Sequence, residues 1–179
     1  METFRVRVSK DYLGFCAAHF IIFRKSQCER LHGHNYRVAA ELEGTLDENH
    51  LVFDFIELKR ILVTICEELD HRMLVPVKSE QLSIEIGEAS VSMRFEDREW
   101  AFPRTDCVLL PIENTTAEQL AHYFAHRLAG VLREGATEAA AGMPEAATTG
   151  IHKVTIEMYE GPGQSATYSM DFRQGPAAT

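Results

Sequence analysis

The sequence predicts an α+β fold, because segments with the two-residue periodicity of strands lie at both ends of the chain and two helical segments lie between them. The 179 residues are enough for one compact domain, whereas two independent cores would be cramped. With 45% hydrophobic and 25% charged residues, the composition excludes a disordered or collagen-like chain. We therefore expect a single domain over residues 1–179.

The N-terminal part of the chain has the pattern of two strands. Phe4, Val6 and Val8 alternate with polar residues and predict the start of the first strand. A second strand is predicted from about His32 to Leu42, and it ends at the turn-like residues 44–49. These two strands predict a hairpin with a long loop.

Two helices are predicted from apolar residues spaced by three and four. Asp54 and Glu57 form a capping-box pattern before the apolar series Leu58, Ile61, Leu62, Ile65 and Leu69, which predicts a helix over 55–69. Thr115 and Glu118 repeat the capping-box pattern. The apolar residues Leu120, Phe124, Leu128 and Val131 follow, and they predict a second helix over 116–133.

Three further segments complete the predicted fold. Short apolar alternations broken at 87–89 and 96–98 predict an inserted meander of strands over about 80–104. Residues 134–150 are rich in Ala, Gly and Thr without periodicity, and they predict a flexible surface loop. Two last strands are predicted at about 151–159 and 166–172, followed by a frayed tail.

Charge and hydropathy restrict the function classes. The net charge of −9 disfavours general nucleic-acid binding, and an anionic substrate would need a local basic pocket. The uncharged run 12–23 is too short to span a bilayer and lacks a cleavage site, so it does not have the pattern of a signal peptide. Four scattered cysteines are too few for a disulfide scaffold. We expect a cytoplasmic protein with reduced thiols.

Three histidines give the densest chemical signal. His32 and His34 lie two residues apart on a predicted strand, so both imidazoles point to the same face and can reach one ion. An isolated pair is more often solvated. His19 comes just before, however, and a neighbouring strand could bring it alongside. Three neutral nitrogens with an open fourth position are what a catalytic zinc requires.

Cys28 lies four residues before His32 and has three interpretations. It could be a small buried hydrophobe. Cations nearby, among them Arg24, Lys25 and Arg30, would instead favour a thiolate that acts as a base or nucleophile. A third possibility is a fourth zinc ligand, which would close the coordination shell and make the site structural. Thiol reactivity with the metal bound separates these cases.

Three further sets of residues could carry chemistry. His71 after Asp70 is the kind of residue favoured at a helix end, but beside zinc and a cysteine the pair becomes a candidate proton relay. Glu160 shares strand parity with core residues and would suit a ligand with two parallel N–H donors, or else it is solvated at a turn. His122 and His126 have no apparent third ligand, which favours an ordinary helix-surface pair.

The ordered set of motifs resembles the 6-pyruvoyltetrahydropterin synthase and 6-carboxytetrahydropterin synthase family. The matching segments are 15–19 (FCAAH), 28–36 (CERLHGHNY), 52–59, 69–71, 116–118, and Glu160 with Tyr168. The three-residue gap between Cys28 and His32 is similar to that of the bacterial 6-carboxytetrahydropterin synthases of queuosine biosynthesis, whereas the animal 6-pyruvoyl enzymes have a longer gap. The 80–104 meander departs from the short connection of other members, and it could overhang the pocket or cap a barrel edge.

The resemblance implies the tunnelling fold, in which an antiparallel four-stranded sheet carries two helices on one face. Three subunits would close a barrel, two trimers would stack into a hexamer, and the sites would lie between subunits. The matched positions imply zinc ligands at His19, His32 and His34, a catalytic base at Cys28, proton-transfer partners at Asp70 and His71, and a pterin anchor at Glu160, with Thr116 and Glu118 also at the substrate.

The implied substrate is 7,8-dihydroneopterin triphosphate, which zinc would activate as a Lewis acid. The carboxy branch of the family forms 6-carboxytetrahydropterin with release of acetaldehyde and triphosphate, and the pyruvoyl branch eliminates triphosphate. Candidates for the positive field around the triphosphate are Arg24, Lys25, Arg30 and Arg72. A non-catalytic, zinc-stabilised binding module, with Cys28 as the fourth ligand, remains the alternative from another class.

Overall fold

The computed structural model describes residues 2–24, 27–140 and 150–171. Within them the chain forms eleven strands and two α-helices. In order these are β1 (Phe4–His19), β2 (Ile22–Phe23), β3 (Gln27–Cys28), β4 (His32–Gly44), α1 (Phe55–Leu69), β5 (Arg72–Pro76), β6 (Ser83–Ile86), β7 (Ser90–Phe95), β8 (Arg98–Pro103), β9 (Cys107–Leu110), α2 (Ala117–Ala140), β10 (Ile151–Gly161) and β11 (Gln164–Asp171).

The main sheet has six strands in the order β11-β10-β4-β1-β5-β9. The first four pair antiparallel, whereas β5 runs parallel to β1 and β9 runs parallel to β5. The expected four-stranded antiparallel sheet is therefore corrected to a six-stranded mixed sheet. Residues 73–76 are buried without interruption, and such strands lack the alternation by which a strand is recognised in a sequence.

Both helices pack on one face of this sheet, as predicted. Alternate residues of β4 and β10 share one hydrophobic cluster with apolar residues of α1 and α2, among them Tyr36, Val38, Leu42, Ile156, Leu58, Leu62, Leu120 and Phe124. Helix α1 has its predicted bounds, because the Asp54 carboxylate accepts hydrogen bonds from the backbone N–H of Ile56 and Glu57. This packing holds the ends of β1 and β4 against a rigid core.

Helix α2 differs from its prediction at both ends. The backbone N–H of Gln119 donates to the hydroxyl of Thr116, which therefore caps the helix in place of the predicted Thr115. The helix also continues to Ala140, so the prediction of a loop is wrong for residues 134–140, which contain strong helix formers. Residues 141–149 and the tail after 171 lie outside the described residues.

The predicted meander forms a separate antiparallel sheet of β6, β7 and β8. A second hydrophobic cluster joins it to Phe20, Ile22 and β5. Strands β2 and β3 form a hairpin of only two residue pairs, Ile22 with Cys28 and Phe23 with Gln27. The meander therefore packs beside the Cys28 hairpin. Neither helix, over the residues described, is both long and apolar enough to cross a membrane.

Candidate metal centre and active site

Strand pairing brings the three predicted histidines together. His19 at the end of β1 lies opposite His32 at the start of β4, and His34 is opposite Ala17 on the same ladder. The ring centroids are 4.7 to 5.2 Å apart, and one nitrogen of each ring lies within 4.8 Å of the others. The register of a single antiparallel pair therefore creates a cluster of three imidazoles.

Backbone carbonyls orient two of these rings. His19 Nδ1 lies 2.9 Å from the carbonyl oxygen of Thr115, and His32 Nδ1 lies 2.7 Å from that of Arg30. A carbonyl only accepts, so both rings carry their proton on Nδ1 and have an unprotonated Nε2. This arrangement is typical of metal-bound histidines, and we conclude that the residues present fit a divalent metal ion.

Burial keeps His19 neutral. Its side chain is 1% exposed, and burial lowers the pKa of His19 to about 4. The hydrogen bond to Thr115 opposes this shift, and the neighbouring imidazoles of His32 and His34 add to it. Because a histidine ligand must be deprotonated, His19 can bind a metal at neutral pH without first losing a proton.

Glu160 and Tyr36 line the same cluster. The carboxylate oxygen Oε1 of Glu160 lies 3.8 Å from Nε2 of His19 and 3.9 Å from Nε2 of His34. The Tyr36 hydroxyl is 3.2 Å from His19 Nε2, and burial followed by the Glu160 charge raises the pKa of Tyr36. Strand β10 continues to Gly161, so the Glu160 side chain points toward the histidines rather than standing in a solvated turn.

Cys28 is half-buried on β3, and its thiol donates a hydrogen bond to the carbonyl of Glu29 at 3.4 Å. Burial raises the pKa of the Cys28 thiol; the charge of Arg98 opposes this, and that of Glu29 adds to it. The thiolate interpretation of Cys28 depends on nearby cations. Charges that act on the thiol come from the adjacent Glu29 carboxylate and from Arg98 in the meander, 70 positions away in the chain.

Glu29 is a site residue that the sequence analysis did not single out. Its Oε2 lies 3.8 Å from Nε2 of His32. The Glu29 carboxylate therefore adjoins the candidate centre, and the Cys28 thiol belongs to the preceding residue. The available signal was the position of Glu29, three residues before His32 in the same motif.

Asp70 and His71 form the predicted pair at the end of α1. Asp70 accepts from the backbone N–H of Cys16 at 2.7 Å and lies 2.8 Å from His71 Nδ1. The bond from Cys16, followed by that from His71, lowers the pKa of Asp70. Together with Tyr36 they line a cavity of about 640 Å³, whose lining includes neither Cys28 nor the three histidines. Within the described part of one chain, Asp70 and His71 thus line a cavity that the Cys28 thiol does not reach.

The remaining predicted site residues have structural contacts. Thr116 caps α2 and directly follows Thr115, whose carbonyl orients His19, and Glu118 lies in the first turn of the helix. Among the predicted basic residues, Arg72 donates to the carbonyl of Thr105, and Arg30 contributes its own carbonyl to His32. Arg24 has a φ of 52°, and Lys25 lies outside the described residues.

Several proteins of known family are similar to this chain in sequence. A Methanocaldococcus jannaschii protein, provisionally assigned as a 6-carboxy-5,6,7,8-tetrahydropterin synthase, is 34% identical over 157 residues, which cover 87% of this chain and 89% of that protein. A dihydroneopterin monophosphate aldolase from Pyrococcus furiosus is 37% identical over 60 residues, which cover 34% of this chain and 50% of the aldolase.

Solved structures show the same fold. The crystal structure of 6-pyruvoyl tetrahydropterin synthase from Plasmodium vivax superposes with a TM-score of 0.81 at 30% identity, covering 96% of this chain and 99% of that one. Two further structures of the Plasmodium vivax protein carry cysteine or alanine in place of a glutamate described as a catalytic residue. The model of the 6-pyruvoyl tetrahydropterin synthase family matches residues 7–171, and the chain therefore belongs to that family.

Proposed function

We propose that the protein is a zinc-dependent lyase that converts 7,8-dihydroneopterin triphosphate to 6-carboxytetrahydropterin with release of acetaldehyde and triphosphate. The observation that carries the proposal is the cluster of His19, His32 and His34, with the Nδ1 protons of His19 and His32 engaged by carbonyls. The names of relatives such as the Methanocaldococcus jannaschii protein support the substrate class.

The three histidines would hold the ion. When bound, zinc would act as a Lewis acid that polarises a substrate oxygen and makes the neighbouring positions more acidic. Thr115 and Arg30 would hold the rings in place through their carbonyls. A neutral His19 supports this role, because this ligand needs no deprotonation at physiological pH.

The other side chains would bind the pterin and move protons. Glu160 would accept two parallel N–H groups from the 2-amino-pyrimidinone edge of the substrate. Cys28, once ionised, would remove a proton from the substrate side chain, and His71 would return a proton elsewhere with Asp70 fixing its tautomer. Thr116 and Glu118 at the start of α2 would border the bound pterin.

We also propose that the site is completed by a neighbouring subunit, in a trimer that pairs into a hexamer. The His71 side chain is 80% exposed and lines a cavity whose lining does not include Cys28, so a second chain could supply the missing partner. Strands β9 and β11 at the two ends of the sheet offer edges for pairing between copies. Light scattering coupled to size exclusion tests this assembly.

A second candidate is carbon–carbon cleavage of a dihydroneopterin phosphate by an aldolase-type reaction. The observation that favours it is Glu29, whose carboxylate adjoins His32 while burial disfavours ionisation of the Cys28 thiol. The catalytic glutamate in the Plasmodium vivax relative and the aldolase name of the Pyrococcus furiosus relative support the same direction. Glu29 would then be the base that takes a side-chain hydroxyl proton.

Product analysis separates the candidates. Zinc-loaded protein is incubated with 7,8-dihydroneopterin triphosphate, and the products are identified by mass spectrometry. Acetaldehyde with 6-carboxytetrahydropterin is the expected result, whereas triphosphate without acetaldehyde would indicate the pyruvoyl branch, and a hydroxymethyl pterin would indicate cleavage by Glu29. The Cys28→Ala and Glu29→Gln variants are compared. If acetaldehyde and 6-carboxytetrahydropterin form, Cys28→Ala should be the inactive variant. If a hydroxymethyl pterin forms, Glu29→Gln should be the inactive variant.

The non-catalytic alternative, in which Cys28 completes a structural zinc site, has its own test. Iodoacetamide treatment of the zinc-loaded protein should alkylate Cys28 if it is a free thiol, as its hydrogen bond to the Glu29 carbonyl suggests. An unmodified Cys28, together with no turnover of any pterin phosphate, would establish the binding module in place of the enzyme.

A further inference from the structure

The meander makes a direct bond to the Cys28 hairpin. Arg98, at the first position of β8, donates from Nη1 to the carbonyl oxygen of Cys28 at 2.8 Å, although the two residues are 70 positions apart. Hydrogen bonds from a charged guanidinium are shorter and stronger than those between neutral groups. This bond therefore connects the meander to the peptide that carries the candidate base.

Aromatic stacking fixes the guanidinium in that position. The Arg98 Cζ lies 4.7 Å from the centroid of the Trp100 ring, and Trp100 stacks on Phe20 with centroids 4.4 Å apart. Phe20 directly follows the histidine at the end of β1. A planar guanidinium held on an indole is pre-organised for its hydrogen bonds. One continuous set of contacts thus runs from the histidine cluster to Cys28.

The hairpin that carries Cys28 needs such external support. Its ladder has only two residue pairs, and an isolated two-stranded ribbon is marginally stable at best. Asn114 holds the β2 side by donating to the Ile22 carbonyl at 2.7 Å, and the Glu29 N–H donates to the Ile21 carbonyl at 3.0 Å. Arg98 binds the other end of the same peptide group, the Cys28 carbonyl.

We propose that Arg98 is a positioning residue for the reaction. From the meander, its guanidinium clamps the Cys28 carbonyl of β3, next to Glu29, whose carboxylate adjoins His32. This inference deepens the proposed function and rests on it for the catalytic consequence. It also assigns a role to the meander, which packs on Phe20 and Ile22 through the second hydrophobic cluster. The positive charge of Arg98 favours the ionised thiol that a base requires.

The test compares variants of Arg98 with a matched control in the same small sheet. Arg98→Met removes the charge and all donors but keeps an apolar stem over Trp100, and Arg98→Lys restores a charged donor. Arg94→Ala is the control, because Arg94 is an exposed arginine of β7 whose nearest ion pair, with Glu99, spans 3.9 Å. Zinc content and thermal unfolding are measured for all three variants.

Two readouts follow. Hydrogen–deuterium exchange of peptides that contain the amides of Ile22, Cys28 and Glu29 should accelerate in Arg98→Met and stay at the wild-type rate in Arg94→Ala. With 7,8-dihydroneopterin triphosphate, kcat should fall about 10- to 100-fold in Arg98→Met with KM nearly unchanged, because a small displacement of a reacting group costs this much. Arg98→Lys should recover part of kcat, and all variants should retain zinc.

Wild-type exchange and wild-type kcat in Arg98→Met would overturn the proposal. So would an equal loss of zinc and of thermal stability in Arg98→Met and Arg98→Lys, because a general structural role predicts no recovery by lysine. If the unmodified protein turns over no pterin phosphate, the proposed function fails. The exchange readout still decides in that case whether Arg98 clamps the Cys28 peptide.

Discussion

The carbonyl oxygen of Thr115 accepts a hydrogen bond from Nδ1 of His19 at 2.9 Å. Thr115 directly precedes the cap of α2, and its hydroxyl donates to the carbonyl of Phe20 at 2.9 Å. The buried Thr115 therefore joins the start of α2 to the end of β1 through two hydrogen bonds, one with His19 and one with Phe20. This contact selects the His19 tautomer that leaves Nε2 for a metal, so the helix start is part of the candidate centre.

Removing the Thr115 hydroxyl should weaken the site without removing a ligand. In Thr115→Val the buried carbonyl of Phe20 loses its donor, which should cost about 1–3 kcal/mol of unfolding free energy. Zinc affinity should fall about 10- to 100-fold, as it does when an outer partner of a ligand is disturbed. Urea unfolding and zinc titration measure the two effects. Thr64→Val, at an exposed threonine of α1, is the control and should change neither.

Loss of a histidine ligand should have a larger effect on the metal than loss of the thiol. His32→Ala should abolish zinc retention, whereas Cys28→Ala should keep zinc and lose turnover, because we assign the thiol to proton transfer. Metal analysis after dialysis gives the zinc content of each variant, and a product assay gives its turnover. His50→Ala, in a loop, should retain both zinc and activity. Equal zinc loss in His32→Ala and Cys28→Ala would contradict the role of Cys28 as a base.

Glu160→Ala should weaken binding of the pterin. A carboxylate that accepts two N–H groups contributes hydrogen bonds of about 1.5–3 kcal/mol each, so a loss of affinity of at least tenfold is expected. Calorimetry with a non-reacting dihydropterin measures it. Glu157→Ala is the control because Glu157 has the opposite strand parity and pairs with Arg7 instead of the histidines. Unchanged affinity in Glu160→Ala would remove Glu160 from the site.

The metal-free protein should lose stability in mildly acidic solution. The pKa of His19 is about 4 in the folded state and about 6.5 when unfolded. Its contribution to the free energy of unfolding is therefore fully present above pH 6.5 and is lost as the pH falls toward 4. The total loss from this residue is about 3 kcal/mol. Chemical denaturation at pH 7.5, 6 and 5 after chelation measures the slope.

His19→Asn serves as the comparison for that slope. The pKa values of His122 and His126 are also lowered, mainly by burial, so their contributions change in the same direction and persist in the variant. The difference between the two proteins therefore isolates His19. Parallel stability curves for the two proteins between pH 7.5 and 5 would contradict the buried, neutral state of His19.

Local patterns were sufficient for the parts of the fold that depend on neighbours in the chain. Helix α1 has the predicted bounds because its cap at Asp54 and its apolar spacing both lie within the segment. His32 and His34 share a face because residues two apart on a strand always do. The prediction that His19 joins them needed one more assumption, the antiparallel pairing of β1 and β4, which the structure has.

Other features depend on partners that are distant in the chain. Strands β5 and β9 are short apolar runs, and they become strands because β5 pairs with the edge of β1 and β9 pairs with the edge of β5. The orientation of His19 comes from a backbone carbonyl, which no side-chain motif encodes. The bond from Arg98 to Cys28 joins two segments that only packing of the meander brings together. Sequence periodicity thus determined helix α1 and the shared face of His32 and His34. Tertiary packing decided β5, β9 and the surroundings of the histidines, because hydrogen bonds and charges act across space between residues that no local pattern links.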